Sequence, residues 1–243
     1  MIWTSQFRVV RLTTILLCAF SFARPAAQIV SGATFPLSEG TYWIYRGIVR
    51  WTHDNSNEVS ETAVQWRMEV RKCMRRRDIL AAVVNGFPAD LNWSDGHPNP
   101  KNSLIIQSGE EKFYLIPSDE VDKVLKTVQD PNGSLTSVLS DDNIFLDLPL
   151  AKGKKFCDPE GMARSDSHYC WVVESAGQVS LNGVKGISPG LRTAYNLTYR
   201  TNPDDEEITY VAGIGLVAYE YHHHGTTADT ELKLVEFHQG ANP

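Results

Sequence analysis

The chain has 243 residues, and its 23 Lys+Arg against 29 Asp+Glu leave a formal charge of -6, which disfavours nucleic acid or an anionic membrane as an obligate partner. Its 42% hydrophobic and 21% charged content is that of a globular chain with enough apolar surface for a sizeable core, and excludes a low-complexity or disordered protein.

The N-terminus sets the expected compartment. Arg8 and Arg11 accompany an apolar run from Leu12 to Phe20, and Ser21-Phe22-Ala23 puts small residues where a signal peptidase reads. The run is shorter than the ~20 residues that span a bilayer. Residues 1–23 read as a cleaved secretory signal, with Ala27 as an alternative end. Residues 24–39 then form a linker, and residues 40–243 a single β-rich domain that is secreted or periplasmic, with no membrane span once the signal is removed. Cys18 does not read as a lipidation site, because Leu17 precedes it where a small residue is expected. Of the remaining cysteines, Cys157 and Cys170 bracket one short loop and are the natural disulfide of an oxidising compartment, worth roughly 3 kcal/mol. Pairing of Cys73 with either of them is the alternative.

The elements follow in order. Thr41–Trp51 is a strand with Trp43, Tyr45, Val49 and Trp51 on one face. Beyond a turn at Asp54–Asn57, Thr62, Val64, Trp66, Met68 and Val70 alternate with polar residues, the mark of a half-buried antiparallel strand. The basic cluster Arg71–Arg77 lacks interleaved aromatics and reads as a solvated strand end, not a nucleic-acid groove. Ile79–Val84 is a strand, Phe87–Pro100 a loop, and Ser103–Gln107 with Lys112–Ile116 a hairpin. Ser118 caps a predicted helix with Val121, Val124, Leu125 and Val128 on one stripe. A shorter helical turn carries Leu135, Val138 and Leu139, so that residues 118–140 form a two-helix insert. Strands are expected again at Ile144–Leu148, His168–Glu174, Gln178–Val184, Leu191–Tyr199, Glu207–Val211, Leu216–His223 and Thr230–Phe237. The fold class is mainly β: a strongly curved antiparallel sheet or partly closed barrel, with the insert covering one side.

Two stretches carry a resemblance. Gly40-Thr-Tyr-Trp-Ile-Tyr-Arg-Gly47, paired with Tyr210-Val-Ala-Gly-Ile-Gly-Leu-Val217, resembles a group of uncharacterised secreted bacterial β-rich proteins with half-barrel, carrier- or lipoprotein-like folds. The resemblance implies an envelope location and an open barrel, and brings no catalytic residues with it.

Three patterns bear on function. First, Glu220, His222 and His224 share a strand face, and such a set could hold one Zn²⁺ with an open site, with His238 as a further ligand if the last strand folds back. That would make a metal-dependent hydrolase; the competing expectation is a solvent-facing strand end. Second, Gly213-Ile214-Gly215 lacks the helix start and third glycine of a phosphate loop, and its glycines are expected to turn the chain. Third, Trp43, Tyr45, Trp51, Trp66, Tyr195 and Tyr199 load the apolar faces with aromatics. On a concave half-barrel these could line a site for an apolar ligand or contact an envelope protein; as core, they would leave a structural or interaction module. The expected function is binding of an apolar or envelope-associated ligand, without a cofactor and without catalysis.

Overall fold

Twelve strands follow one another around a single antiparallel sheet: β1 (Tyr42–Thr52), β2 (Val59–Arg76), β3 (Ile79–Asn85), β4 (Asn102–Ser108), β5 (Lys112–Ile116), β6 (Ile144–Asp147), β7 (Lys155–Phe156), β8 (Trp171–Ser180), β9 (Leu191–Arg200), β10 (Asp204–Val211), β11 (Gly215–His223) and β12 (Ala228–His238). The computed structural model describes residues 35–52, 58–93, 97–109, 111–136 and 138–241. The expected signal sequence, most of the linker and the Asp54–Asn57 turn lie outside the described residues.

The spatial order is β6-β5-β4-β3-β2-β1-β12-β11-β10-β9-β8-β7. It is chain order wrapped as a ring: β1 closes onto β12, and each strand pairs with its sequence neighbours except at one place. That place is between β6 and β7, which are the two ends of the sheet although they are consecutive in the chain. An up-and-down barrel is thus complete apart from one seam. The physical reason is length: β6 has four residues and β7 two, too few to zip the ends together. Lys154 pins the connection between them, its Nζ donating to the Asp147 carbonyl at 2.5 Å and standing 3.2 Å from the Asp147 carboxylate.

Alternation decides which side faces in. Trp43, Tyr45 and Val49 of β1 and Trp66, Met68 and Val70 of β2 are buried, as the period-two reading expects. Phe35 enters this interior too, its ring 5.6 Å from Trp43, 6.2 Å from Phe113 and 5.9 Å from Phe145. Phe35 and Leu37, upstream of residue 40, are therefore core residues. The chain makes room for Phe35 at Gly215, where φ is +95° and an added Cβ would lie 3.2 Å from the Phe35 ring. Gly213 and Gly215 do set the turn between β10 and β11.

The helical expectations are met in part. Helix α1 (Val121–Gln129) buries Val121, Val124 and Val128, but Glu120, not Ser118, is its N-cap. Where a shorter helical turn was expected, Val138 and Leu139 both donate to the Leu135 carbonyl. Helix α2 (Pro159–Ala163) lies instead between Cys157 and Cys170. β8 runs unbroken to Ser180 where two separate strands were expected. Within the basic cluster, Arg76 holds the fold together: its guanidinium donates to the carbonyls of Thr127, Pro131 and Gly133 and so satisfies the open C-terminus of α1.

Candidate functional site

The strand register builds the site. On the inner face, Phe156 of β7 stands opposite Trp171 of β8, Trp171 opposite Tyr199 of β9, Tyr199 opposite Glu206 of β10, Glu206 opposite Tyr221 of β11 and Tyr221 opposite Thr230 of β12. One cross-strand row thus runs from the open seam into the barrel, and cross-strand neighbours of this kind are in side-chain contact. It is aromatic at the seam and carries a single carboxylate, Glu206.

Two adjoining cavities open along this row. The outer one, of about 430 Å³, lies between Ile144 on one side of the seam and Phe156, Trp171 and Tyr199 on the other, with Asp142, Glu160 and Arg164 at its rim. The inner one, of about 160 Å³, is walled by Phe87, Phe145 and Ile208 and reaches Glu206. Asp142, Ile144, Trp171 and Tyr199 line both. The outer cavity is mixed in character: its ring-lined wall faces the carboxylates of Asp141, Asp142, Asp158 and Glu160 and the Arg164 guanidinium, and a small-ligand site combines apolar walls with polar groups that fix orientation.

Glu206 is half-buried. Burial pushes its carboxyl up to about 7, a hydrogen bond with Tyr219 opposes that, and the nearby Asp204 carboxylate adds to it. The Tyr219 hydroxyl lies between Glu206 and Asn92, whose Oδ1 accepts from it at 2.7 Å. A phenol has one proton to give. When Glu206 is protonated it can donate to Tyr219, which donates to Asn92; when Glu206 is ionised it competes with Asn92 for the Tyr219 proton. Asp204, the next inward carboxylate on β10, is held differently. Burial would raise it, but hydrogen bonds from Tyr221 at 2.6 Å and His223 at 2.8 Å outweigh that and keep it below its usual value.

The six aromatics expected to line a ligand surface divide. Trp43 and Tyr45 are fully buried, and their polar atoms are spent on the fold: Trp43 Nε1–H donates to the Ile214 carbonyl at 2.6 Å and the Tyr45 hydroxyl to the Leu216 carbonyl at 3.0 Å. Trp66 is buried with its Nε1–H on the Gly86 carbonyl at 2.8 Å. These three are core, because the barrel is closed at β1 and has no open concave face there. Trp51 and Tyr195 pack against the core half-buried, and Tyr199 alone of the six lines the cavities described above.

Glu220, His222 and His224 do share the outer face of β11 and its end, while His223 points inward. The imidazoles are turned to carboxylates: His222 Nδ1 lies 2.5 Å from Asp229 Oδ1, and His224 Nε2 lies 3.2 Å from Asp205 Oδ2. Glu220 stands between Glu207 and Glu231 in the strand register. Among the described residues no group of three His, Cys, Asp or Glu side chains is arranged to hold a metal ion. His238 sits at the far end of β12, stacked on Tyr42 at 5.0 Å, and cannot join the other histidines.

Trp171 and Glu206 are site residues that the sequence patterns above do not single out. Glu206 lies in the acidic run Asp204–Glu207, which is the first half of β10. The available signal is the alternation Glu206, Ile208, Tyr210, which puts the carboxylate on the apolar face.

Cys157 and Cys170 form the expected disulfide, the chemistry of an oxidising compartment, and Cys73 is free. The bridge frames the outer cavity, and Gly161 of α2 lies so close that an added Cβ would come within 2.8 Å of Cys157 Sγ and 2.9 Å of Cys170 Sγ. Cys73 donates from Sγ to the Leu37 carbonyl at 2.8 Å, and burial pushes its thiol up to about 11.

No protein-family model matches the chain. No curated protein matches it either. Among solved structures, a Bacteroides fragilis protein described as a candidate exported protein with a YmcC-like fold aligns over 85% of this chain and 99% of its own, at 12% identity and a TM-score of 0.41. A candidate lipoprotein from Parabacteroides distasonis aligns over 84% of this chain and 97% of its own, at 13% identity and a TM-score of 0.36. Both superpositions are loose, and neither assigns a site, a ligand or an activity to this chain.

Proposed function

We propose that this protein is an extracytoplasmic binding protein that holds an apolar or amphiphilic, envelope-associated molecule in the cleft at the β6/β7 seam. One observation carries the reading: the Phe156–Trp171–Tyr199 row lines a cavity of about 430 Å³ where the barrel fails to close. Phe156 and Trp171 are themselves buried and Tyr199 is half-buried, so the three rings form the packed wall of this cavity. The disulfide and α2 brace one wall of the cleft, and an oxidised pair fits a location outside the cytoplasm. Among the described residues no helix is long and apolar enough to cross a membrane.

The site differs from the one expected on β1 and β2. Of the six aromatics expected to line it, Tyr199 is retained, beside carboxylates and Arg164 at the rim. The test is extraction of natively purified protein into organic solvent, followed by mass spectrometry, with an apolar fluorescent probe titrated into the stripped protein. A co-purifying amphiphile, or saturable probe uptake weakened by Ile144→Arg at the cleft mouth, is expected. Empty extracts together with no probe uptake would sink the reading.

A further inference from the structure

We propose that the inner end of the cleft is a site for an ammonium group, so that the ligand is a cationic amphiphile whose headgroup sits between Glu206 and the Trp171–Tyr199 pair. This rests on the ligand-binding reading above and narrows it to one charge class. Three features carry it. The inner cavity is small, about 160 Å³, which suits a headgroup and not a whole acyl chain. Its lining combines the aromatic rings of Trp171, Tyr199, Phe145 and Phe87 with two carboxylates, Glu206 and Asp142, and contains no Lys or Arg among the described residues. An organic cation is drawn to ring faces and to carboxylates alike, and walls of aromatic rings are how quaternary ammonium ligands are held. When Glu206 is ionised, a neutral or anionic headgroup would leave this half-buried carboxylate without a compensating charge beside the aromatic walls, which an ammonium supplies.

The lie of the row gives the binding pose. Trp171 and Tyr199 are cross-strand neighbours with ring centroids 5.4 Å apart, and Glu206 is the next residue inward from Tyr199. An ammonium against Glu206 therefore leaves its alkyl chain directed past both rings toward the outer cavity and the seam. The titratable groups around Glu206 are Asp204 on its own strand, Tyr199 on β9, Tyr219, Tyr221 and His223 on β11, and Asp142 at the head of β6. Burial holds the Glu206 carboxyl near 7, so the anchor is charged at pH 8 and largely neutral at pH 5.5.

The test uses the full mature protein and three chain-matched probes in isothermal titration calorimetry: hexyltrimethylammonium, hexan-1-ol and hexanoate. At pH 8 the ammonium should bind at least tenfold more tightly than the alcohol, with hexanoate weakest. Glu206→Gln should remove the difference between ammonium and alcohol. In the wild type, lowering the pH to 5.5 should also shrink it, and since the quaternary ammonium keeps its charge throughout, that change reports on the protein. Equal affinity for ammonium and alcohol would overturn the inference and leave the apolar cleft standing. A preference that survives both Glu206→Gln and pH 5.5 would also overturn it. No binding of any probe would overturn both the inference and the proposed function.

Discussion

Trp171 on β8 and Tyr199 on β9 face each other across the strand pair, their ring centroids 5.4 Å apart and their planes inclined by 42°. Trp171 is buried and Tyr199 half-buried, on the two strands next in from β7. The neighbour of β8 is the two-residue β7, and beyond it the seam. The proposed site lies where hydrogen-bonding backbone runs short in the ring.

The β1/β12 pairing must stay tight for the β6/β7 seam to be the opening. Gly47 faces Leu232 there, and a Cβ at position 47 would lie 1.7 Å from the Glu231 carbonyl oxygen, which is backbone and cannot step aside. Gly47→Ala is expected to cost about 3 kcal/mol, in the range of severe packing errors. Gly177→Ala on β8, where nothing lies within 4 Å, should change stability by no more than ~0.5 kcal/mol. Urea unfolding of the two variants measures the contrast.

Replacing both disulfide cysteines by serine should lower stability by about 3 kcal/mol, the entropy of a short closed loop, or roughly 6–12 °C in melting temperature for a domain of this size. Because the bridge frames the outer cavity, apolar-probe affinity should fall in the same variant. Unchanged affinity would detach the bridge from the binding site.

Glu206 makes stability depend on pH with a defined sign. Its carboxyl is raised to about 7 in the fold from a reference of 4.5. Between those values the native state holds a proton that the unfolded chain has lost, so stability falls as pH rises through that window and levels off above it. The full loss is up to about 3 kcal/mol from the size of the shift. Glu206→Gln should therefore be more stable than wild type at pH 8 and close to it at pH 4.5, read from thermal melts across that range.

How much of this was legible in the chain depends on the element. The period-two run from Thr62 to Val70 located the core face of β2 because one side is buried and the other wet. The spacing of Cys157 and Cys170 located the bridge, since a short loop leaves little else for them to do. Ring closure was not legible. Whether β1 ends at an open edge or pairs with β12 depends on contacts nearly two hundred residues apart, such as Tyr42 with His238, and no local pattern records them. That closure decides which aromatics are core. With β1 closed, Trp43 and Tyr45 became core, and the opening passed to Trp171 and Tyr199. The faces of the histidines follow from strand alternation, but their carboxylate partners Asp205 and Asp229 come from the strands on either side of β11, which sequence spacing does not show.

Cys73 should be inert in the native state. A thiol raised to about 11 is almost wholly protonated at pH 7.5, and thiolate is the reactive form. Alkylation by iodoacetamide should be slower than that of the unfolded protein by two orders of magnitude or more. Rapid native labelling would mean that the Leu37 segment, whose carbonyl accepts from the thiol, does not stay docked.

The most direct measurement of the central claim is a tryptophan-indole NMR titration with a soluble apolar or amphiphilic probe. The chain has six tryptophans, and those of the described barrel occupy distinct environments. A ligand in the seam cleft should shift the Trp171 indole strongly and leave those of Trp43 and Trp66, bonded to Ile214 and Gly86 within the core, unmoved. Shifts at Trp43 and Trp66 with Trp171 silent would place the ligand on the β1–β2 face and contradict a binding site at the seam.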